Sequence, residues 1–129
     1  MHAVDTNVLV RLLTGDDTEQ LKRVTALFKK QPIFIAKTVL LETEWVLRRL
    51  YRLERVIVVN AFRKLSGLRN VEIEQPLIVT QALQWCEDGM DFADALHLAS
   101  CQHCEKFATF DRQLRKSASK GVKQTVLLL

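Results

Sequence analysis

The feature that most constrains this chain is an alternation of two patterns. Short runs rich in β-branched and aromatic residues are separated by longer stretches with helical periodicity. Ala3-Val4, Ile33-Phe34-Ile35-Ala36, Val71-Glu72-Ile73, Phe107-Ala108-Thr109-Phe110 and Val122 to Leu128 read as strands, mostly bounded by turn-forming or charged residues. Between them, Asp17-Thr18 can cap a helix through Lys30 whose Leu21, Val24, Leu27 and Phe28 share one face. Thr38 can cap a second helix through about Tyr51, and Leu53 to Leu68 reads as a third that ends near Gly67. Pro76 suits the first turn of a fourth, with Ile78, Ala82 and Trp85 inward and Gly89 just beyond it. Asp91 can cap a fifth through about Cys104, and Asp111 a short sixth.

Strands that alternate with helices call for a parallel sheet covered on both faces. The expected fold is therefore α/β, three layers deep (α/β/α), with a central parallel sheet of five strands flanked by helices. The chain has 129 residues, 48% of them hydrophobic, which suits one core, so residues 1–129 are expected to form a single domain. No repeat, low-complexity tract or linker interrupts it. In open α/β sheets, ligands bind beyond the carboxyl ends of the strands, which is where the chemistry should be sought.

Four carboxylates fall at such places. Asp5 follows the first strand in Asp5-Thr6-Asn7, and Asp111 follows the fourth in Thr109-Phe110-Asp111. Asp94 sits in the first turn of the helix that begins after Asp91, and Glu42 lies one turn into the second helix. Each has a structural alternative. Asp5 and Asp111 can be caps or turn formers, and Asp91 with Asp94 resembles a capping box. Glu44, four residues before Arg48, has an evident surface ion-pair role. Glu42 instead has Val39, Trp45 and Val46 at helical spacing, and a carboxylate among apolar side chains needs a partner.

A close group of carboxylates is restrictive. Two of them about 4 Å apart repel by about 4 kcal/mol at an effective dielectric near 20. Several together persist only when protonated, paired with bases or neutralised by a cation. All-oxygen donors favour Mg²⁺ or Mn²⁺ over zinc, and such an ion suits phosphodiester chemistry.

At these residues the chain resembles the PIN-domain family, and within it the bacterial VapC-type toxins. The resemblance rests on Asp5-Thr6-Asn7, on Glu42 within Val39-Leu40-Leu41-Glu42, on Ala93-Asp94-Ala95-Leu96-His97-Leu98-Ala99, and on Thr109-Phe110-Asp111, in that order and spacing over nearly the whole chain. It implies an endoribonuclease dependent on Mg²⁺ or Mn²⁺, with Asp5, Glu42, Asp94 and Asp111 as catalytic, metal-binding acids. Asp5 and Asp94 would be the most direct ligands, and Asp111 would assist at a second or substrate-dependent ion. Asn7 and Thr109 would orient these groups. Asp91 is an extra carboxylate nearby, read as a cap or a supporting residue. The likeness also implies a homodimer, a VapB-like antitoxin partner and RNA products with 5′-phosphate and 3′-hydroxyl ends.

Other features set bounds. The net charge is +4, from 19 basic and 15 acidic residues, a modest excess that suits a polyanionic partner. Arg48, Arg49, Arg52 and Arg55 cluster where the second helix gives way to the third. They suit RNA phosphates, an acidic antitoxin, or simply a solvated helix end. Three cysteines, with neither a signal-peptide pattern nor a bilayer-length apolar run, lead us to expect a cytoplasmic protein without a membrane segment. His97, Cys101 and Cys104 fall at i, i+4 and i+7 of one expected helix. A zinc site there lacks a fourth ligand, so buried cysteines on a core-facing helix are the preferred reading. Gly-rich phosphate loops, Gly-x-Ser-x-Gly and GxGxxG are absent, which removes support for nucleotide-hydrolase, serine-hydrolase and dinucleotide-enzyme readings. The rivals to be tested are a DNA nuclease, a metal- or RNA-binding module without turnover, and a response-regulator-like phosphoacceptor.

Overall fold

The computed structural model describes residues 1–118, 121–122 and 125–129, in two compact units, Met1–Pro76 and Leu77–Leu129. The first unit opens with β1 (His2–Ala3) and continues through α1 (Thr6–Thr14), α2 (Thr18–Lys30), β2 (Ile33–Ile35), α3 (Lys37–Arg49), α4 (Arg55–Ser66) and β3 (Val71–Ile73). All strand pairings in it are parallel, in the order β1-β2-β3. His2 lies opposite Ile33, and Ile33 opposite Val71, so β2 is central. Period-two alternation seats Ile33 and Ile35 in the core while Phe34 stays half-buried between them.

Helix boundaries follow local chemistry. The Asp17 carboxylate accepts from the backbone N–H of Gln20 at 3.0 Å and starts α2, whose Val24 and Phe28 are buried. α1 is an element absent from the sequence expectation. Asp5 caps its start, and Gly15 closes it in the left-handed region (φ 63°), its N–H bonded to the Arg11 carbonyl. It buries Leu9 and Val10 and packs on α2 and α3. α3 begins at Lys37 without a side-chain cap, so Thr38 is inside the helix rather than its cap. Phe62, Leu40, Leu47, Val58 and Val59 fill the remainder of this core.

The second unit carries α5 (Pro76–Glu87), α6 (Phe92–Ser100), β4 (Lys106–Thr109), α7 (Arg112–Ala118) and β5 (Thr125–Leu128). β4 and β5 pair in parallel from Lys106 opposite Thr125 to Thr109 opposite Leu128. Val79, Ala82, Leu83, Phe92, Ala95 and Leu98 are among its most deeply buried side chains, whereas Ile78, expected inward, is half-buried. Residues 123 and 124, within the expected last strand, lie outside the described residues.

The α/β class and the parallel pairing agree with the sequence. The ladders among the described residues, however, join strands as three and two rather than as one sheet of five. Composition reports which segments are extended, but ladder partners are chosen by tertiary hydrogen bonding, and β1 offers only two residues to it. Among the described residues, no helix is long and apolar enough to cross a membrane.

Candidate functional site

In the first unit, Asp5 leaves β1 and caps α1, one oxygen accepting from the Val8 N–H at 3.2 Å. A carboxylate has acceptor capacity for more than that one bond, so capping does not exhaust it. The next residue, Thr6, is 8% exposed, and its hydroxyl donates to Glu42 Oε1 on α3. That bond brings Glu42 to the start of α1, one residue from Asp5. Glu42 itself is exposed, as is Trp45, which is 54% accessible. The apolar flank expected around Glu42 therefore does not enclose it, and its partner is a threonine 36 residues away in sequence.

Asp5 and Asn7 also line a groove of about 310 Å³, together with Val8, Arg11, Gln20, Arg23 and Val24. Arg11 is the anchor of a polar network behind it. Its guanidinium donates to Gln20 Oε1 at 2.5 Å, to Asp16 at 3.1 Å and to the Tyr51 oxygen at 3.2 Å. The Tyr51 hydroxyl in turn donates to Asp16 at 2.6 Å, and Thr14 to the same carboxylate at 2.9 Å. The Tyr51 hydrogen bond first, then that of Thr14, hold the Asp16 carboxyl below its ordinary range, with the Arg11 charge acting in the same direction.

In the second unit, the Asp91 carboxylate caps α6 by accepting from the Asp94 N–H at 3.2 Å. Asp94 is half-buried in the first helical turn. Burial, then the negative charges of Asp91 and Asp111, push its carboxyl above the ordinary range, against a smaller opposing effect of His97. Asp111 caps α7, its Oδ1 accepting from the N–H groups of Gln113 at 2.9 Å and Leu114 at 3.1 Å. Its own backbone N–H donates to the Thr109 hydroxyl at 3.0 Å. The capping readings of Asp5, Asp91 and Asp111 are thus real features of the fold. They coexist with a shared negative field around Asp94.

The donor set is all oxygen, and the like charges around Asp94 are of the kind a divalent cation offsets, so Mg²⁺ or Mn²⁺ fits its chemistry. Within either unit, among the described residues, no three His, Cys, Asp or Glu side chains are gathered tightly enough to hold a metal ion by themselves.

The arginine cluster divides. Arg48 lies 3.9 Å from Glu44, as the spacing predicted, and donates to the Leu53 carbonyl, whereas Arg49 and Arg52 are exposed and Arg55 is half-buried. The expected His97-Cys101-Cys104 helix face is corrected. α6 stops at Ser100, Cys104 is exposed in the following turns, Cys101 is half-buried, and the buried cysteine is Cys86 on α5. Sequence reasoning did not find Thr6, Arg11, Gln20 or Arg23. Thr6, Arg11 and Gln20 owe their significance to partners on other elements, and Arg23 to the groove it lines, neither of which spacing along the chain encodes.

Comparison with known proteins gives one positive finding, a match of residues 3–120 to the family model of the PIN domain. No curated protein and no solved structure matches the chain.

Proposed function

The chain belongs to the PIN-domain family, a nuclease-type fold, and from that premise we propose that it is a Mg²⁺- or Mn²⁺-dependent endoribonuclease. The observation that carries this reading is the family match over residues 3–120, a span that includes Asp5, Glu42, Asp94 and Asp111 and crosses the boundary between the two units. We take residues 1–129 as one PIN domain on the same ground.

Asp5, Glu42, Asp94 and Asp111 are the residues that would hold the cation, Asp5 and Asp94 most directly. When bound, the ion supplies positive charge that makes water a better nucleophile and offsets the charge building on the phosphate. The remaining groups set the acids in place. Thr6 orients Glu42 through its hydroxyl, Asp91 fixes the turn that carries Asp94, and Thr109 holds the backbone of Asp111. Asn7 lies in the groove beside Asp5. Hydrolysis is direct, with no covalent enzyme intermediate, and leaves 5′-phosphate and 3′-hydroxyl ends.

By the same likeness, the protein is read as a VapC-type toxin of a type II pair, cytoplasmic and homodimeric, blocked by a VapB-like antitoxin. The exposed Arg49 and Arg52 are the members of the cluster most available for RNA phosphates or an acidic antitoxin, with Arg48 and Arg55 behind them.

The test is cleavage of tRNA and mRNA pools by the purified chain, with and without Mn²⁺, with single-stranded DNA in parallel and sequencing of the cut ends. Asp5→Ala and Asp94→Ala should each abolish cleavage with the fold retained. Undiminished cleavage in both variants rejects the assignment of the acids. Cleavage of DNA alone, or metal binding by calorimetry without any cleavage, rejects the ribonuclease reading.

A further inference from the structure

We propose that the groove beside Asp5 seats a phosphate of a single-stranded RNA next to the one that is cleaved, and that Arg23 is the residue that grips it. This deepens the ribonuclease reading above and rests on it for the identity of the strand.

The groove holds Asp5 among its lining residues, so a strand presented to Asp5 continues along it. Its volume, about 310 Å³, lies at the small end of ligand-sized cavities. Its two arginines differ in what they have left to give. Arg11 is committed to Gln20, Asp16 and Tyr51. Arg23 is exposed on α2, and among the described residues it forms no salt bridge. It stands three residues beyond Gln20 and therefore on the same helix face. Arg11 also settles the carboxamide of Gln20. Because Gln20 Oε1 accepts from Arg11 Nε, the amide nitrogen is left as the donor end for a ligand in the groove. Val8 and Val24 add apolar surface suited to the carbons of a ribose.

The groove therefore pairs one uncompensated guanidinium and two carboxamide side chains, Asn7 and Gln20, with a single carboxylate, Asp5. An anionic strand drawn to Asp5 meets repulsion from that carboxylate, and Arg23 offsets it at the adjoining position. A planar guanidinium fork matches phosphate oxygens better than it matches any neutral ligand. Arg23 is accordingly a binding residue that positions the strand, with no part in proton transfer.

The experiment measures binding apart from cleavage. An end-labelled single-stranded RNA oligonucleotide is titrated with the full chain in chelator, by fluorescence anisotropy, over a series of salt concentrations. Arg23→Ala should weaken binding roughly tenfold, the loss of one charged hydrogen-bonding contact. It should lower the slope of log K against log salt by about 0.7, as for one phosphate on a single strand. Arg23→Lys should restore the slope while recovering only part of the affinity, and neither variant should change the melting temperature. With Mn²⁺ present, Arg23→Ala should raise KM and leave kcat nearly unchanged. Unchanged affinity and slope in Arg23→Ala, or no RNA binding by the wild-type chain, overturns the groove assignment and leaves the ribonuclease reading to its own test. Arg23-dependent binding in a chain that cleaves no RNA with any divalent metal supports the groove and overturns the ribonuclease reading.

Discussion

The Thr6–Glu42 hydrogen bond offers a direct measure of how the first unit holds one of its acids. Thr6→Val keeps the β-branched shape and removes only the donor. A hydrogen bond to a charged group contributes about 1.5–3 kcal/mol net. Thr6 is 8% exposed, but Glu42 is exposed and can recover water once its partner is gone. The cost should therefore fall at the low end, about 1–2 kcal/mol. For a chain of this length that lowers the melting temperature by roughly 4–8 °C. Urea unfolding should show a lower midpoint at unchanged m, which assigns the change to stability rather than to a different unfolded state. The decisive measurement is the double-mutant cycle with Glu42→Gln, where a coupling energy of about 1 kcal/mol is expected. Effects that add to within about 0.3 kcal/mol would show that the two side chains do not interact, and the account of Glu42 orientation would fall. Because none of this depends on turnover, it stands apart from the ribonuclease question.

Three further outcomes follow from the same structure. Asp94 holds its proton more tightly in the folded chain than in the unfolded one, so its contribution to metal-free stability should be greatest below the ordinary carboxylate range and decline as pH rises through its raised pKa. Asp94→Asn should remove that decline and raise the midpoint at neutral pH in chelator, and a lowered midpoint there would contradict the shared negative field. Asp16 is the opposite case, since its lowered pKa gives stability that is present above the ordinary carboxylate range and lost as pH falls through the folded-state value. Asp16→Asn should flatten the acid limb of the stability profile, measured by thermal melts across pH. The Thr43 hydroxyl is fully buried and has no hydrogen-bond partner among the described residues, so Thr43→Val should stabilise by about 1 kcal/mol, read as a higher urea midpoint. A destabilised variant would reveal a partner for that hydroxyl.

Local signals in the chain were sufficient for most elements. α2 combines the Asp17 cap with an apolar stripe ending at Phe28, and β3 occupies the expected Val71–Ile73. α5 starts at the expected Pro76. The exception is α1, whose Thr6–Thr14 sequence mixes β-branched and aliphatic residues that suit strand or helix equally over so short a length. Only its two ends, Asp5 and Gly15, carried a helix signal. Likewise, i, i+3 and i, i+4 spacing grouped Val39, Glu42, Trp45 and Val46 on one face of α3. Spacing does not say whether a face is covered, and here Trp45 is exposed.

The candidate acids were legible for a related reason. Asp at the end of a strand or the start of a helix is a local choice, visible in the residues on either side, and Asp5, Asp91 and Asp111 do occupy such positions. What each acid meets is decided by chain segments that are remote in sequence. The donor to Glu42 lies 36 positions earlier, the field on Asp94 comes partly from Asp111, and the groove beside Asp5 is shared by two helices. The sequence by itself thus determined the α/β class, nearly all the helices and the capping positions of Asp5, Asp91 and Asp111, because capping, turn formation and periodicity act over a few neighbouring residues. Tertiary structure alone decided the strand ladders, the exposure of Glu42 and, among the described residues, an Arg23 guanidinium without an ion pair, because hydrogen bonds, burial and charge act through space.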